Sequence, residues 1–220
     1  MPVPRAPHAI LFDLDGTLVD TVPARIDAWS AVFDELGISS ARAQLEPMIG
    51  MDGRQLASEV GAAAGRQLTA EDAEVIDRRA GELFDEHNRD PRPLPGAPEL
   101  LSALGERGLT WAIATSSRRE QVAASIAALG LEHQPRIVDG SHVERAKPAP
   151  ELLLLAAREL DVAPDDCWYV GDSTWDMRAA RAAEMVAIGV LAGAAVDEAA
   201  LRGAGAWLVV STLGDLELPG

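Results

Sequence analysis

From residue 99 to residue 210 the chain switches repeatedly between two periods, and few folds can satisfy that alternation. Helical patterns over 99–107, 120–129, 150–160, 176–183 and 197–202 are separated by short apolar runs at 109–114, 136–138, 167–170, 186–190 and 207–210. Gly108 and Gly130 stand where helices should stop. Short apolar runs between helices are how buried parallel strands look. The pattern predicts an α/β chain with a doubly wound, mostly parallel sheet covered by helices on both faces.

One more strand is expected at the start of the chain. Ala9, Ile10, Leu11 and Phe12 form an apolar run that empties into Asp13, Leu14, Asp15, Gly16 and Thr17. In open α/β sheets ligands collect at the carboxyl ends of such strands, so two carboxylates arrive where a ligand would sit. Asp13 and Asp15 are two apart and leave the same face of an extended backbone, and Gly16 then lets the chain turn. One carboxylate could attack phosphorus while the other protonates the leaving oxygen and later deprotonates water. A calcium loop is the plain alternative. Counted from Asp13, its fifth position is Thr17 and its sixth Leu18, where that loop needs an oxygen-rich residue and Gly.

Between this strand and residue 92 the pattern is helical. Ile26, Trp29, Phe33 and Leu36 recur at three- and four-residue spacing before Gly37, and further helices are expected over 55–64 and 70–88. Thr69 with Asp72 reads as a capping box for the last of these. About 70 helical residues are too many for a crossover and suit a small insertion. Its borders read as hinges: residues 19–23 on the way out, and Pro91, Pro93, Pro95 and Pro98 on the way back. The expected organisation is a discontinuous α/β core, 1–19 with 95–220, carrying a helical cap, 20–94.

The 220 residues, 48% of them hydrophobic, can supply a core of this size, and the net charge of −16 argues against nucleic acid and anionic membranes as partners. The expected ligand is small. Cys167 is the single cysteine, so no intramolecular disulfide forms, and no apolar segment approaches a membrane span. No secretory leader is expected in Met1 to His8. A cytoplasmic protein, monomeric or weakly dimeric, fits this composition.

Three more places carry chemistry. The run 109–114 ends in Thr115, Ser116 and Ser117 before a helix, and hydroxyls with free backbone N–H groups there make either an anion site or a plain N-cap. Lys147, followed by Pro148, is the only lysine beside 18 arginines. A chain that otherwise uses Arg keeps one compact ammonium for a reason. Finally, 167–170 runs into Gly171, Asp172, Ser173, Thr174, Trp175 and Asp176, two carboxylates a helical turn apart whose hard oxygens suit Mg²⁺.

Asp13-Leu14-Asp15-Gly16-Thr17, Thr115, Lys147-Pro148 and Gly171-Asp172 through Asp176 resemble, in order, the four signatures of haloacid dehalogenase-like hydrolases. The likeness is to the α-helical-capped branch that includes phosphoglycolate phosphatases and β-phosphoglucomutases. It implies that Asp13 is phosphorylated, that Asp15 is acid and base, and that Thr115, Ser116 and Lys147 bind phosphate. The implied Mg²⁺ set is Asp13, Asp15, Asp172 and Asp176, with Asp15 able to offer its backbone carbonyl. Two departures stand out: Glu184 where relatives often have Gly at a helix end, and Arg25 where many, sugar phosphomutases included, have His. The resulting expectation is a Mg²⁺-dependent phosphatase for a small phosphate monoester, a sugar phosphate or a phosphorylated, phosphoglycolate-like organic acid, with Arg25 and Arg54 reading a second anionic charge on it. A phosphomutase and a phosphate-binding module without turnover are the alternatives. All four pieces are needed together, since a carboxylate nearing a phosphate dianion is repelled by roughly 4 kcal/mol per charge pair at 4 Å and an effective dielectric of about 20.

Overall fold

The computed structural model describes residues 5–218. Strand β1 (Ala9–Phe12) is followed by helices α1 (Val22–Glu35), α2 (Arg42–Leu45), α3 (Gly53–Ala63) and α4 (Ala70–His87). The chain then alternates through α5 (Ala97–Glu106), β2 (Thr110–Ala114), α6 (Ala123–Ala128), β3 (Ile137–Val138) and α7 (Glu151–Glu159). It ends with β4 (Cys167–Gly171), α8 (Thr174–Ala182), β5 (Val186–Val190), α9 (Glu198–Ala204) and β6 (Leu208–Val210). The six strands form one parallel sheet in the order β3-β2-β1-β4-β5-β6. From β1 the chain builds outward through β2 and β3, then crosses to β4 on the other side, so β1 and β4 flank the switch point where such sheets bind ligands.

Period-2 alternation sends alternate residues of each strand to opposite faces. Ala9 and Leu11 join Cys167 and Tyr169 in a core covered by α7, α8 and α9. Ile10 and Phe12 join Trp168 and Val170 in a second core with Leu100, Leu101 and Leu104 of α5 and Ile126 of α6. The helices between β1 and β2 form a third apolar cluster of their own, in which Ile26, Trp29 and Phe33 of α1 meet Leu56 and Val60 of α3 and Ile76, Leu83 and Phe84 of α4. Each buried Leu, Ile or Phe side chain is worth about 1.5–3 kcal/mol, so this cluster holds its helices together without the sheet.

Local signals explain most helix ends. Thr69 and Asp72 form the reciprocal capping box that starts α4, and Asp52 caps α3 by accepting from the N–H groups of Arg54 and Gln55. Two expectations needed correction, and two short pieces were not expected at all. The helix read from Ile26 begins at Val22, because Pro23 sits in its first turn, where a missing N–H costs nothing. The helix read over 120–129 is a short 3₁₀ turn, Arg119–Gln121, followed by α6. The short helical pieces at Arg42–Leu45 and Glu46–Met48 carry no periodic signal long enough to read. The two connections to the helical insertion run side by side, with Asp20 N donating to Arg92 O (2.9 Å) and Leu94 N to Leu18 O (2.9 Å).

Candidate active site

Register sets the first carboxylate. Phe12 is aligned with Ile113 on β2 and Val170 on β4, and Asp13 N still donates to Val170 O at 2.9 Å, so Asp13 leaves the sheet at its carboxyl edge between both neighbours. Gly16, at φ 77°, turns the chain there, and a Cβ on it would lie 2.3 Å from Asp172 Oδ2. That glycine therefore supplies both the left-handed conformation and the room for a facing carboxylate.

Lys147 is buried under this edge. Its Nζ lies 2.9 Å from Asp13 Oδ1 and 2.7 Å from Asp176 Oδ1, and donates to Tyr169 Oη at 3.2 Å. Asp176 is held on its other oxygen by Ser173, whose N–H (2.9 Å) and hydroxyl (2.6 Å) both donate to Oδ2 in the capping box of α8. Tyr169 Oη sits 3.0 Å from Asp176 Oδ1 and 3.2 Å from the Ala114 carbonyl. Thus Asp176 and Tyr169 orient the ammonium toward Asp13. Asp172 receives one hydrogen bond, from Thr17 Oγ1 at 3.1 Å.

Asp13, Asp172 and Asp176 each bring one carboxylate oxygen within 4.8 Å of the others, and all three are buried. One ammonium cannot balance three such carboxylates. Burial, with repulsion from Asp176 and Asp15, pushes Asp13 up to about 7 against the pull of Lys147. Burial together with Asp176 and Asp13 holds Asp172 well above the usual carboxylate range. Despite its own burial, Lys147 stays protonated, its pKa raised by Asp13 and Asp176. A hard, all-oxygen donor set with surplus negative charge fits a divalent cation of the Mg²⁺ type.

Asp15 stands apart from that trio. Its carboxylate accepts from Thr21 Oγ1 (2.7 Å), from Arg25 Nη2 (3.1 Å) and from Ser117 Oγ. Burial would raise its pKa, but the Arg25 guanidinium and the two hydroxyls hold it below its ordinary value. Arg25 in turn donates to Ser117 Oγ at 2.8 Å and lies over the Phe84 ring, 3.4 Å from its centroid. Its guanidinium is thus paired with the Asp15 carboxylate. Thr115 Oγ1 accepts from Ser117 N at 3.1 Å, while Ser116 Oγ is buried without a partner.

These groups line one cavity of about 320 Å³, with Asp13, Asp15, Thr115, Ser116, Lys147 and Asp172 on the sheet side and Arg25 reaching in from α1 of the insertion. The insertion closes it with Trp29, Asp52, Arg54, Glu74 and Asp77. Arg54 is in the wall as expected, but paired to Asp52 at 2.7 Å. Arg118, in the loop after β2, reaches across to Glu74 (2.9 Å) and Asp77 (2.6 Å) of α4. Trp175 Nε1 of α8 donates to Pro47 O at 2.9 Å, a second link between the sheet side and the insertion.

Sequence reasoning missed Thr21, Ser117, Arg118 and Tyr169. Ser117 was visible in the hydroxyl run after β2, and Tyr169, a phenol inside a fully apolar strand, signalled a buried partner. Arg118 and Thr21 carried no local sign.

Among the described residues no helix is long and apolar enough to cross a membrane. The sequence profile of haloacid dehalogenase-like hydrolases matches residues 10–190. N-acetylmuramic acid 6-phosphate phosphatase of Pseudomonas aeruginosa is 33% identical over 175 residues, 79% of this chain and 76% of that protein. Phosphoglycolate phosphatase of Xanthomonas campestris pv. campestris is 32% identical over 86% of this chain and 85% of its own length. The crystal structure of a hydrolase from Pseudomonas syringae superposes with a TM-score of 0.90 at 33% identity, covering 96% of this chain and 95% of that one. With the paired carboxylates on β1, the lysine before α7 and the acidic turn after β4 converging on one cavity, the chain belongs to the haloacid dehalogenase-like hydrolase family.

Proposed function

We propose that the protein is a phosphoric monoester hydrolase acting on a small phosphate ester through phosphorylation of Asp13. The observation that carries the reading is the buried Lys147 ammonium, 2.9 Å from Asp13 Oδ1 at the mouth of the strand, with Asp172 facing it. An ammonium there steers the carboxylate and offsets the charge of an incoming phosphate. Asp13, Asp172 and Asp176 would hold a divalent cation, and that cation supplies the remaining charge neutralisation.

An Asp13 oxygen attacks phosphorus, and the P–O bond to the alcohol breaks as the acyl phosphate forms. Asp15, two residues on, gives a proton to the departing oxygen, a step that requires it to be protonated first against the pull of Arg25, Ser117 and Thr21. A water then attacks the phosphorus, returning its proton to Asp15 and freeing the Asp13 carboxylate and inorganic phosphate. The hydroxyl of Ser116, buried and unpartnered, is available to the transferring phosphoryl oxygens, beside the Thr115 turn at the end of β2. The helices of the insertion act as a cap that excludes bulk water and bulky phosphoproteins.

Phosphate release from a panel of esters, with Mg²⁺ and with chelator, tests the reading. Asp13→Asn is expected to fold and lose at least a hundredfold in kcat. Asp15→Asn is expected to lose comparable turnover while keeping Mg²⁺ affinity. Retention of more than a few percent of activity by Asp13→Asn removes the covalent role, and a collapse of metal affinity in Asp15→Asn removes the acid and base assignment.

A further inference from the structure

The cap side of the cavity bears on which ester is taken. It carries Asp52 at the start of α3, Glu74 and Asp77 on α4, and Arg54 on α3, while Arg118 reaches up to it from the loop after β2. Both arginines are already neutralised. Arg54 gives Nε (3.1 Å) and Nη2 (2.7 Å) to the two oxygens of Asp52. Arg118 Nη2 is shared between Glu74 at 2.9 Å and Asp77 at 2.6 Å. With Arg25 of α1 set against Asp15 of the sheet side, three carboxylates against two guanidiniums leave this wall with a net negative charge, so a second phosphate or a carboxylate would enter against repulsion.

The wall is also shaped for carboxylate oxygens. A Cβ on Gly53 would lie 1.8 Å from Asp77 Oδ1, and one on Gly81 would lie 2.1 Å from Gln121 Nε2, so both polar groups occupy space that only glycine leaves open. Beside them Trp29, buried and stacked on Phe33 with ring centroids 5.6 Å apart, presents an aromatic surface to the same cavity. Alternating carboxylates and guanidiniums satisfy hydroxyl groups, each of which donates to one and accepts from the other, and an aromatic face takes the C–H side of a carbon chain or ring.

We infer that the non-phosphate part of the substrate is an uncharged polyhydroxyl group, a sugar or sugar alcohol, and that esters carrying a second anionic group are discriminated against. This deepens the phosphatase reading and rests on it. It replaces the doubly anionic substrate that the sequence suggested, because Arg25 is committed to Asp15 and Arg54 to Asp52.

The test compares kcat/KM at fixed Mg²⁺ for pentose, hexose and alditol monophosphates, 2-phosphoglycolate, fructose 1,6-bisphosphate and an aryl phosphate. The best sugar or alditol monophosphate is expected to exceed 2-phosphoglycolate and the bisphosphate at least tenfold. In Asp77→Asn, which keeps shape and removes charge, the ratio of that best ester to 2-phosphoglycolate should fall about tenfold. Hydrolysis of the aryl ester with 2-phosphoglycolate or the bisphosphate as the best substrate overturns this inference and leaves the phosphatase reading standing. An unchanged ratio in a folded Asp77→Asn also overturns it. No phosphate release from any ester, the aryl one included, overturns both.

Discussion

Asp13 is a reactive group held in an unfavourable state, and its stability signature follows. Its carboxyl, ordinarily near 3.8, is pushed up to about 7 by burial in the absence of a cation. Below pH 4 folded and unfolded chains both carry the proton. Between 4 and 7 the folded chain keeps a proton that the unfolded chain has released, so this group's contribution to stability is lost as pH rises, by at most roughly 1.4 kcal/mol per pH unit. Asparagine has no such proton. Asp13→Asn, unfolded by urea in the presence of chelator, should therefore gain on the wild type by about 1–3 kcal/mol between pH 4.5 and pH 7.5; a constant difference would show that the carboxylate is not held in this way. Asp15 is the opposite case, since Arg25, Ser117 and Thr21 outweigh its burial. Two carboxylates two residues apart are driven in opposite directions, and a divalent cation beside Asp13 would return it to the ionised form that attack on phosphorus needs.

At the level of elements, the seam between α3 and α4 forms part of the cavity wall that faces the sheet. Gly53 starts α3 directly against Asp77 of α4, and Asp77 bridges to Arg118 on the sheet side. Replacing Gly53 by Ala improves helix propensity by up to about 1 kcal/mol, yet it must turn the Asp77 carboxylate away and loosen a half-exposed ion pair worth about 1 kcal/mol after solvent screening. The two effects nearly cancel. Gly53→Ala is expected to unfold within about 1 kcal/mol of the wild type while kcat/KM for the preferred ester drops about tenfold. Urea titration and steady-state kinetics on one preparation check both halves, and unaltered kinetics would take Asp77 out of the substrate wall.

For the whole molecule, the carboxyl edge of the sheet concentrates buried negative charge that one lysine does not balance. Binding a cation there stabilises the native state by mass action, about 2.7 kcal/mol at a hundredfold excess over Kd. For a chain of 220 residues that corresponds to a Tm rise of about 5–10 °C. Asp172→Asn should abolish most of the rise, whereas saturating monovalent salt should abolish it only if the site were a diffuse acidic surface; calorimetry with Mg²⁺ at low and at high monovalent salt separates the cases. A rise that survives in Asp172→Asn would move the cation elsewhere.

How far the residue order carries is clearest at particular positions. The sheet was legible because strands and helices differ in period, so Ala9–Phe12, Cys167–Gly171 and Val186–Val190 read as strands from their apolar runs alone. The site was legible where a strand ends in a short polar motif, which holds for Asp13, Asp15, Thr115, Asp172 and Asp176, and where composition isolates a residue, as with Lys147. Glu184 could be marked as a place of possible strain, and its φ of 62° beyond the end of α8 bears the mark out. Partners remote in sequence were not legible. Ser117 reaches Asp15 across 102 residues, Arg118 reaches Asp77 across 41, and Trp175 reaches Pro47 across 128. Periodicity and local spacing specify which way a side chain leaves its own element; which oppositely charged group it meets depends on how the helical insertion is seated over the sheet. That seating committed Arg25 to Asp15, a pairing that no local spacing announces.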